Sequence, residues 1–249
     1  MSKKPNYSYI GIAFIVLLFG IIFIPKIVDR LQNNDISRDA ESRSTNLKGA
    51  TGEKSSDLAF INVGEGARKV PDFSFVNQNG DTITNKDYLG KVYVVEFFFT
   101  TCPTICPRMN RNLVEIQNHF SDFENFGVAS FTINPTHDTP EVLKAYAQNY
   151  GMTNPNWHLM TGNQEDIYSL ANKGFNLYAA EDREVEGGFE HSGNFALIDK
   201  NGFIRSRLDD FKNPIIYYNG ILAEDETDED GMTQQITILK EDIAKLLKE

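Results

Sequence analysis

Two residues set the chemical question. Cys102 and Cys106 are the only cysteines in the chain, with three residues between them in Thr101-Cys102-Pro103-Thr104-Ile105-Cys106-Pro107. A bridge across so short a loop ties nothing distant together, so the pair points to chemistry rather than to a structural staple. Pro107 lacks an N–H and fits only the first turn of a helix. It also biases Cys106 away from helical geometry. Both sulfurs are therefore expected at, or just before, a helix N-terminus, where unpaired amides and the helix dipole favour the thiolate. Thiolate is the nucleophile of disulfide exchange and also the ligand of soft metals, so both outcomes stand open.

Four histidines are available to join the sulfurs: His119, His137, His158 and His191. His119 falls late in an amphipathic stretch and reads as surface, and His158 follows Trp157 in a short strand. His137 lies beyond a strand end in Asn134-Pro135-Thr136-His137-Asp138, where it could approach the same edge as the cysteines. His191 sits in a loop, Gly187-Gly188-Phe189-Glu190-His191-Ser192-Gly193, just ahead of a strand. Met109 is a soft side chain near the thiols but reads more simply as core. Two thiolates with one imidazole suit Cu(I) and also hold Cu(II). A structural zinc asks for four protein ligands, whereas a catalytic one makes do with three and a water.

The elements that must position these groups follow from pattern. Val92 to Phe99 is nearly continuous in apolar residues, as a strand buried on both faces would be, with Glu96 an exception whose partner the sequence does not show. Leu113, Ile116, Gln117 and Phe120 recur at helical spacing, giving a helix over about 107–120. Phe73–Val76 and Thr82–Thr84 flank Asn79-Gly80 as a hairpin. Val128–Ile133 is a second buried strand. A helix then opens at Thr139-Pro140, with Thr139 as N-cap. Trp157–Met160 is a short strand, and a third helix over Gln164–Lys173 is expected to stop at Gly174. Asn194–Asp199 and Phe203–Leu208 form a closing hairpin, and Ile236–Leu247 is a terminal helix. Strands alternating with helices imply an α/β sandwich with parallel strands at its centre. The ligand edge of such a sheet lies beyond the strand carboxyl ends, which is where Cys102 falls.

Ahead of the folded part, Tyr9 to Ile24 is sixteen residues without a charge, closed by Pro25-Lys26. With its flanks it reaches the length of a membrane-spanning helix. No small-residue cleavage site follows it, so an uncleaved anchor is expected rather than a signal peptide. Lys3, Lys4 and the N-terminal amine mildly favour a cytoplasmic N-terminus. Residues 31–60 are polar and read as a tether. Net charge is −11, with +2 over residues 1–60 and −13 over the rest, which argues against a nucleic-acid ligand. The acidic run Glu224, Asp225, Glu226, Asp228, Glu229, Asp230 reads as a solvated loop.

The stretch Phe97-Phe98-Phe99-Thr100-Thr101-Cys102-Pro103-Thr104-Ile105-Cys106-Pro107 resembles the copper-site motif of the Sco/SenC family. Thr132 to Glu141, Trp157 to Gly162 and Glu190 to Asp199 resemble three further signatures of that family, in the same order. The resemblance implies a thioredoxin-like fold with an N-terminal hairpin extension, preceded by one transmembrane helix. With the apolar run and the polar stretch after it, this gives an anchor over 1–30, a tether over 31–63 and a copper-binding domain over 64–249, an arrangement that also resembles the family. The resemblance carries the metal ligands over to Cys102, Cys106 and His191, with Cys102 and Cys106 also able to form a redox-active disulfide. It further implies copper as the cofactor and the copper-A subunit of cytochrome c oxidase, or a related copper protein, as partner. Two departures fall near the site edge: Asn134 stands where the family usually has Asp, and His137 where it often has Arg.

A metallochaperone without turnover and a thiol–disulfide oxidoreductase acting on a partner's cysteines are the two leading functions. The three-residue spacing leans towards copper, because thioredoxin-like reductants space their cysteines by two and carry a Pro beside the pair, whereas Glu190–Asn194 has a His and no Pro. A peroxidase with Cys102 as nucleophile and a membrane protein with inert thiols are weaker alternatives. No Arg- and Ser-rich presequence is present, so the expected location is a bacterial cytoplasmic membrane, with the domain facing the periplasm or cell exterior.

Overall fold

The computed structural model describes residues 58–63, 66–182, 184–185, 187–227 and 233–249, together with Leu17 and Phe19. Strands β1 (Ala59–Phe60), β2 (Asn62–Val63) and β3 (Gly66–Ala67) lead into the hairpin β4 (Ser74–Asn77) and β5 (Thr82–Thr84). Then follow β6 (Val92–Phe98), α1 (Cys106–His119), β7 (Phe126–Thr132), α2 (Pro140–Tyr150), β8 (Trp157–Thr161) and α3 (Gln164–Ser169). The chain closes with β9 (Ala179–Glu181), β10 (Phe189–His191), β11 (Asn194–Ile198), β12 (Ile204–Ser206), β13 (Tyr218–Asn219) and α4 (Ile236–Lys248).

The main sheet runs β1-β12-β11-β6-β7-β8-β4-β5, with β13 also on β11. Among the described strands the parallel pairings are β6 with β7 and β7 with β8, which matches the expected parallel centre. Every residue of β6 and β7 is buried, so these strands are core on both faces. Successive β6 side chains alternate between the faces. Phe97 stacks on Phe131 with centroids 5.4 Å apart and meets Phe175 edge-on, whereas Phe98 faces Tyr146 of α2 at 5.6 Å. Helix α1 packs against both α2 and α4. Each fully buried aromatic of this kind contributes roughly 1.5–3 kcal/mol, so the strand that leads to Cys102 is firmly held.

Glu96 finds its partner across the parallel ladder. It lies opposite Ser130, whose hydroxyl donates to Oε1 at 2.6 Å. Trp157 Nε1 in turn donates to Ser130 Oγ at 2.9 Å. Burial raises the Glu96 carboxyl to about 7, with the Ser130 bond opposing.

Three details differ from the sequence reading. Helix α1 begins at Cys106 itself, whose N–H is taken by Cys102 Sγ. Helix α3 does not stop at Gly174. It passes into a π-helical turn, Leu170–Phe175, and ends on Asn176 in the left-handed region with φ 56. Ala59–Phe60, placed by sequence in the tether, pairs with Ser206 and Arg205 of β12. Among the described residues no helix is long and apolar enough to cross a membrane. The expected anchor over 9–25 lies outside the described residues except for Leu17 and Phe19.

Candidate metal centre

Cys102 sits just past the carboxyl end of β6, in a turn closed by Cys102 N donating to Phe99 O at 3.2 Å. The base of that turn is tied down by Asp138, which is fully buried. Its carboxylate accepts from Thr100 N at 3.0 Å and from the hydroxyls of Thr100 and Thr132. Asp138 thus joins the loop after β6 to the loop after β7.

Helix α1 starts with Pro107 in its first turn, and its N-cap residue Ile105 has no side-chain cap. The orphan amides at such a start need an acceptor. Cys102 Sγ supplies it, taking the Cys106 N–H at 3.5 Å. Thr104 Oγ1 lies 3.7 Å from the same sulfur. The Cys106 thiol beside it, then the His191 ring and the amides of Cys106 and Thr104, hold the Cys102 thiol far below its ordinary range despite burial. Cys106 goes the other way: burial and the adjacent Cys102 push its thiol up, and the Glu96 charge adds to this. The two thiols are thus driven in opposite directions by their surroundings.

His191 ends β10, which pairs only with β9 in a two-stranded ribbon apart from the main sheet. Its ring meets Phe99 edge-on, with centroids 5.9 Å apart. Nδ1 lies 3.2 Å from Ser192 O. A carbonyl only accepts, so Nδ1 is the donor of that bond and Nε2 is the ring nitrogen turned to the sulfurs. That Nε2 lies 3.1 Å from Cys106 Sγ.

The three donor atoms, one each from Cys102, Cys106 and His191, all fall within 4.8 Å of one another. All three residues are buried, Cys106 fully and the other two to 8% exposure. The donor set is two sulfurs and one imidazole, soft and borderline together, which fits a copper ion better than a hard cation. Phe99, Ile105, Val185 and Phe189 wall a cleft that opens onto Cys102 and His191, so the centre is shielded but reachable.

The other candidates stay outside this triangle. His158 Nδ1 lies 3.2 Å from Asn77 Nδ2, His119 packs edge-on to Phe120, and Met109 is buried core. His137 is half-exposed at the rim, with Nδ1 bound to Asp138 at 2.8 Å and to Thr100 Oγ1 at 3.3 Å. Asn134 shapes the same loop, its carbonyl accepting from His137 N and Asp138 N. Asp138 and the wall formed by Phe99 and Phe189 were not singled out from sequence. The available signal was an acidic residue immediately after a strand-end loop, in register with the cysteine turn.

The residues from 62 to 224 match the SCO1/SenC family. The SCO1 protein homolog of Bacillus subtilis (strain 168) is 34% identical over 137 residues, 54% of this chain and 70% of that protein. The solved structure of BsSco, a member of the Sco family of cytochrome c oxidase assembly proteins with a disulfide switch, has a TM-score of 0.57 at 26% identity, covering 72% of this chain and 94% of that one. ScoI of Arabidopsis thaliana, solved with copper bound, is 19% identical and shares the fold at a TM-score of 0.52, over 72% of this chain and 98% of that one. The fold and the matched residues agree, and the chain belongs to the SCO1/SenC family with a thioredoxin-like fold.

Proposed function

We propose that this protein is a copper chaperone that holds one copper ion through Cys102, Cys106 and His191 and serves assembly of the copper-A site of cytochrome c oxidase. The observation that carries the reading is the approach of three ligand atoms, from a strand-end turn, a helix start and a separate ribbon, to within 4.8 Å. Copper bound there supplies a soft, redox-capable ion for transfer. The chain's own residues do the rest. Cys102 offers a thiolate without first losing a proton, whereas Cys106 must release one, so metal uptake is coupled to proton release from the buried thiol. The contact of His191 Nδ1 with Ser192 O orients the ring so that Nε2 faces the ion.

A second reading, thiol–disulfide exchange on a partner's cysteines, is favoured by one feature. Cys102 is the low-pKa sulfur and the one that lines the cleft, as an attacking thiolate requires. The same pair serves both readings, with the disulfide as the copper-free oxidised form.

In this proposal residues 1–30 anchor the protein in a bacterial cytoplasmic membrane. A short tether follows, and the copper domain faces the periplasm or cell exterior, where it meets the copper-A subunit. The decisive experiment is metal analysis of the reduced full-length protein beside Cys102→Ser/Cys106→Ser. The expected result is about one copper per chain in the first and none in the second. Equal uptake by both would sink the copper reading. Rapid reduction of insulin by the copper-free protein would instead favour the exchange reading.

A further inference from the structure

The stretch from 207 to 227 holds none of the four motifs that carry the family resemblance, yet it is built into both halves of the proposed copper site. On one side it covers the backbone just after His191. Asn219 and Tyr218 of β13 pair with Asn194 and Phe195 of β11, and Gly220 N donates to Gly193 O at 2.8 Å. The crossing is so close that a Cβ on Gly193 would lie 2.2 Å from Ile221 Cδ1, and 3.6 Å from Ile105 Cδ1. Ile221 therefore lies over the residue two after His191 and beside the residue just before Cys106.

On the other side the same stretch is held by helix α1. Asn112, 3% exposed, donates from Nδ2 to Gly220 O at 2.8 Å and to Leu222 O at 3.3 Å. Arg108, two residues past Cys106, pairs with Glu226 at 2.7 Å. Just upstream, Ile216 holds φ 70, a conformation that a β-branched residue adopts only when its surroundings impose it. Ser206 Oγ accepts the Ile216 N–H at 2.9 Å.

These contacts form a continuous path from Cys106 along α1 to Asn112, across Gly220 to Gly193, and back to His191. The β9–β10 ribbon lies outside the main sheet, so the reach of the imidazole depends on what ties its loop to the cysteine helix. We propose that the segment 217–222 is a strap that sets the distance of His191 from the two sulfurs, with Asn112 as its anchor. Asn112 is a positioning residue: it acts on copper only through His191. The inference rests on the three-ligand reading above.

The test uses full-length protein carrying Asn112→Leu, which removes both anchoring bonds, and separately Ile221→Ala, which keeps them but uncovers Gly193. His191→Ala serves as reference. The readouts are the rate of Cu(II) release to a chelator, the Cu(I) stoichiometry, and hydrogen exchange of the Ser192 amide in copper-free protein. Both strap variants are expected to release Cu(II) about tenfold to a hundredfold faster, the range typical of groups that orient a ligand. They are expected to exchange Ser192 faster and to keep the wild-type Cu(I) stoichiometry, a split that general unfolding would not produce. If His191→Ala changes Cu(II) release while Ile221→Ala behaves as wild type, the strap is wrong and the ligand set stands. If His191→Ala itself releases Cu(II) at the wild-type rate, the ligand set is wrong and the strap falls with it.

Discussion

Cys106 and His191 come to within 3.1 Å of each other, but the two are delivered by different kinds of structure. Cys102 stands in the turn after a strand whose seven residues are all buried, and Cys106 opens a helix in which Cys106, Met109, Leu113 and Ile116 are fully buried. The histidine stands on a two-stranded ribbon, reached through Tyr178, which is 54% exposed, and through Gly187 and Gly188, both at positive φ. Gly187 cannot be replaced cheaply, because a Cβ there would also lie 3.0 Å from Pro103 and 3.2 Å from Phe99. Cys106 is placed by core packing and Cys102 by a turn anchored to the buried Asp138, whereas the imidazole comes from a ribbon outside the main sheet. The lesson is that the two sulfurs belong to the main core, while the imidazole proposed to join them is held by fewer contacts outside it. Such a division suits a protein that must both hold an ion and release it.

Several substitutions and conditions press on this division, beginning with the largest effect. Cys102 is the low-pKa thiol in the cleft, and Cys106 is buried with its thiol pushed up. Iodoacetamide near pH 6 should modify Cys102 on the order of a hundredfold faster than Cys106, since an ordinary thiol is almost wholly protonated there. Peptide mapping checks this, and equal labelling would mean that the two sulfurs are not distinguished. On the rigid side, Leu113→Ala should lower unfolding stability by about 2–5 kcal/mol, measured by chemical denaturation.

Glu96 provides the pH test of the same rigid side. Its carboxyl is raised from 4.5 to about 7 by burial. The unfolded chain loses that proton near its ordinary value, while the folded protein keeps it until about 7. The stabilisation relative to the ionised group is therefore complete below about 4.5 and is lost as pH rises through about 7, a fall of about 3 kcal/mol from this group. Glu96→Gln should remove that part of the slope, and an unchanged profile would mean that the carboxyl is not held neutral. The smallest effect belongs to the ribbon side. Tyr178→Ala, at an exposed position, should change stability by no more than about 0.5 kcal/mol. A loss as large as that of Leu113→Ala would erase the contrast between the two sides.

What was legible in the sequence follows the same line. The run Val92–Phe99 and the spacing of Leu113, Ile116 and Phe120 are local patterns, and they located the strand and helix that carry the cysteines. Thr139 and Pro140 likewise announced α2, and the Thr139 side chain does accept the Val142 N–H. The partner of Glu96 was not legible, because Ser130 meets it only through strand register. The end of α3 was misplaced at Gly174, because a π turn and a left-handed Asn176 replaced the glycine stop. His191 lies 85 residues from Cys106, beyond the reach of any local period; its place in a loop before a strand made it one candidate among the histidines, and the family motif singled it out. The strap was invisible because single bonds from Asn112 to backbone carbonyls leave no mark on residue pattern.

The most direct measurement is electron paramagnetic resonance of the Cu(II)-loaded full-length protein with 15N in its histidine rings, compared with His191→Ala. Coupling to one imidazole nitrogen in the wild type, absent from the variant, is the result expected if the buried ring and the two sulfurs share one ion. The same nitrogen coupling in His191→Ala would contradict the account.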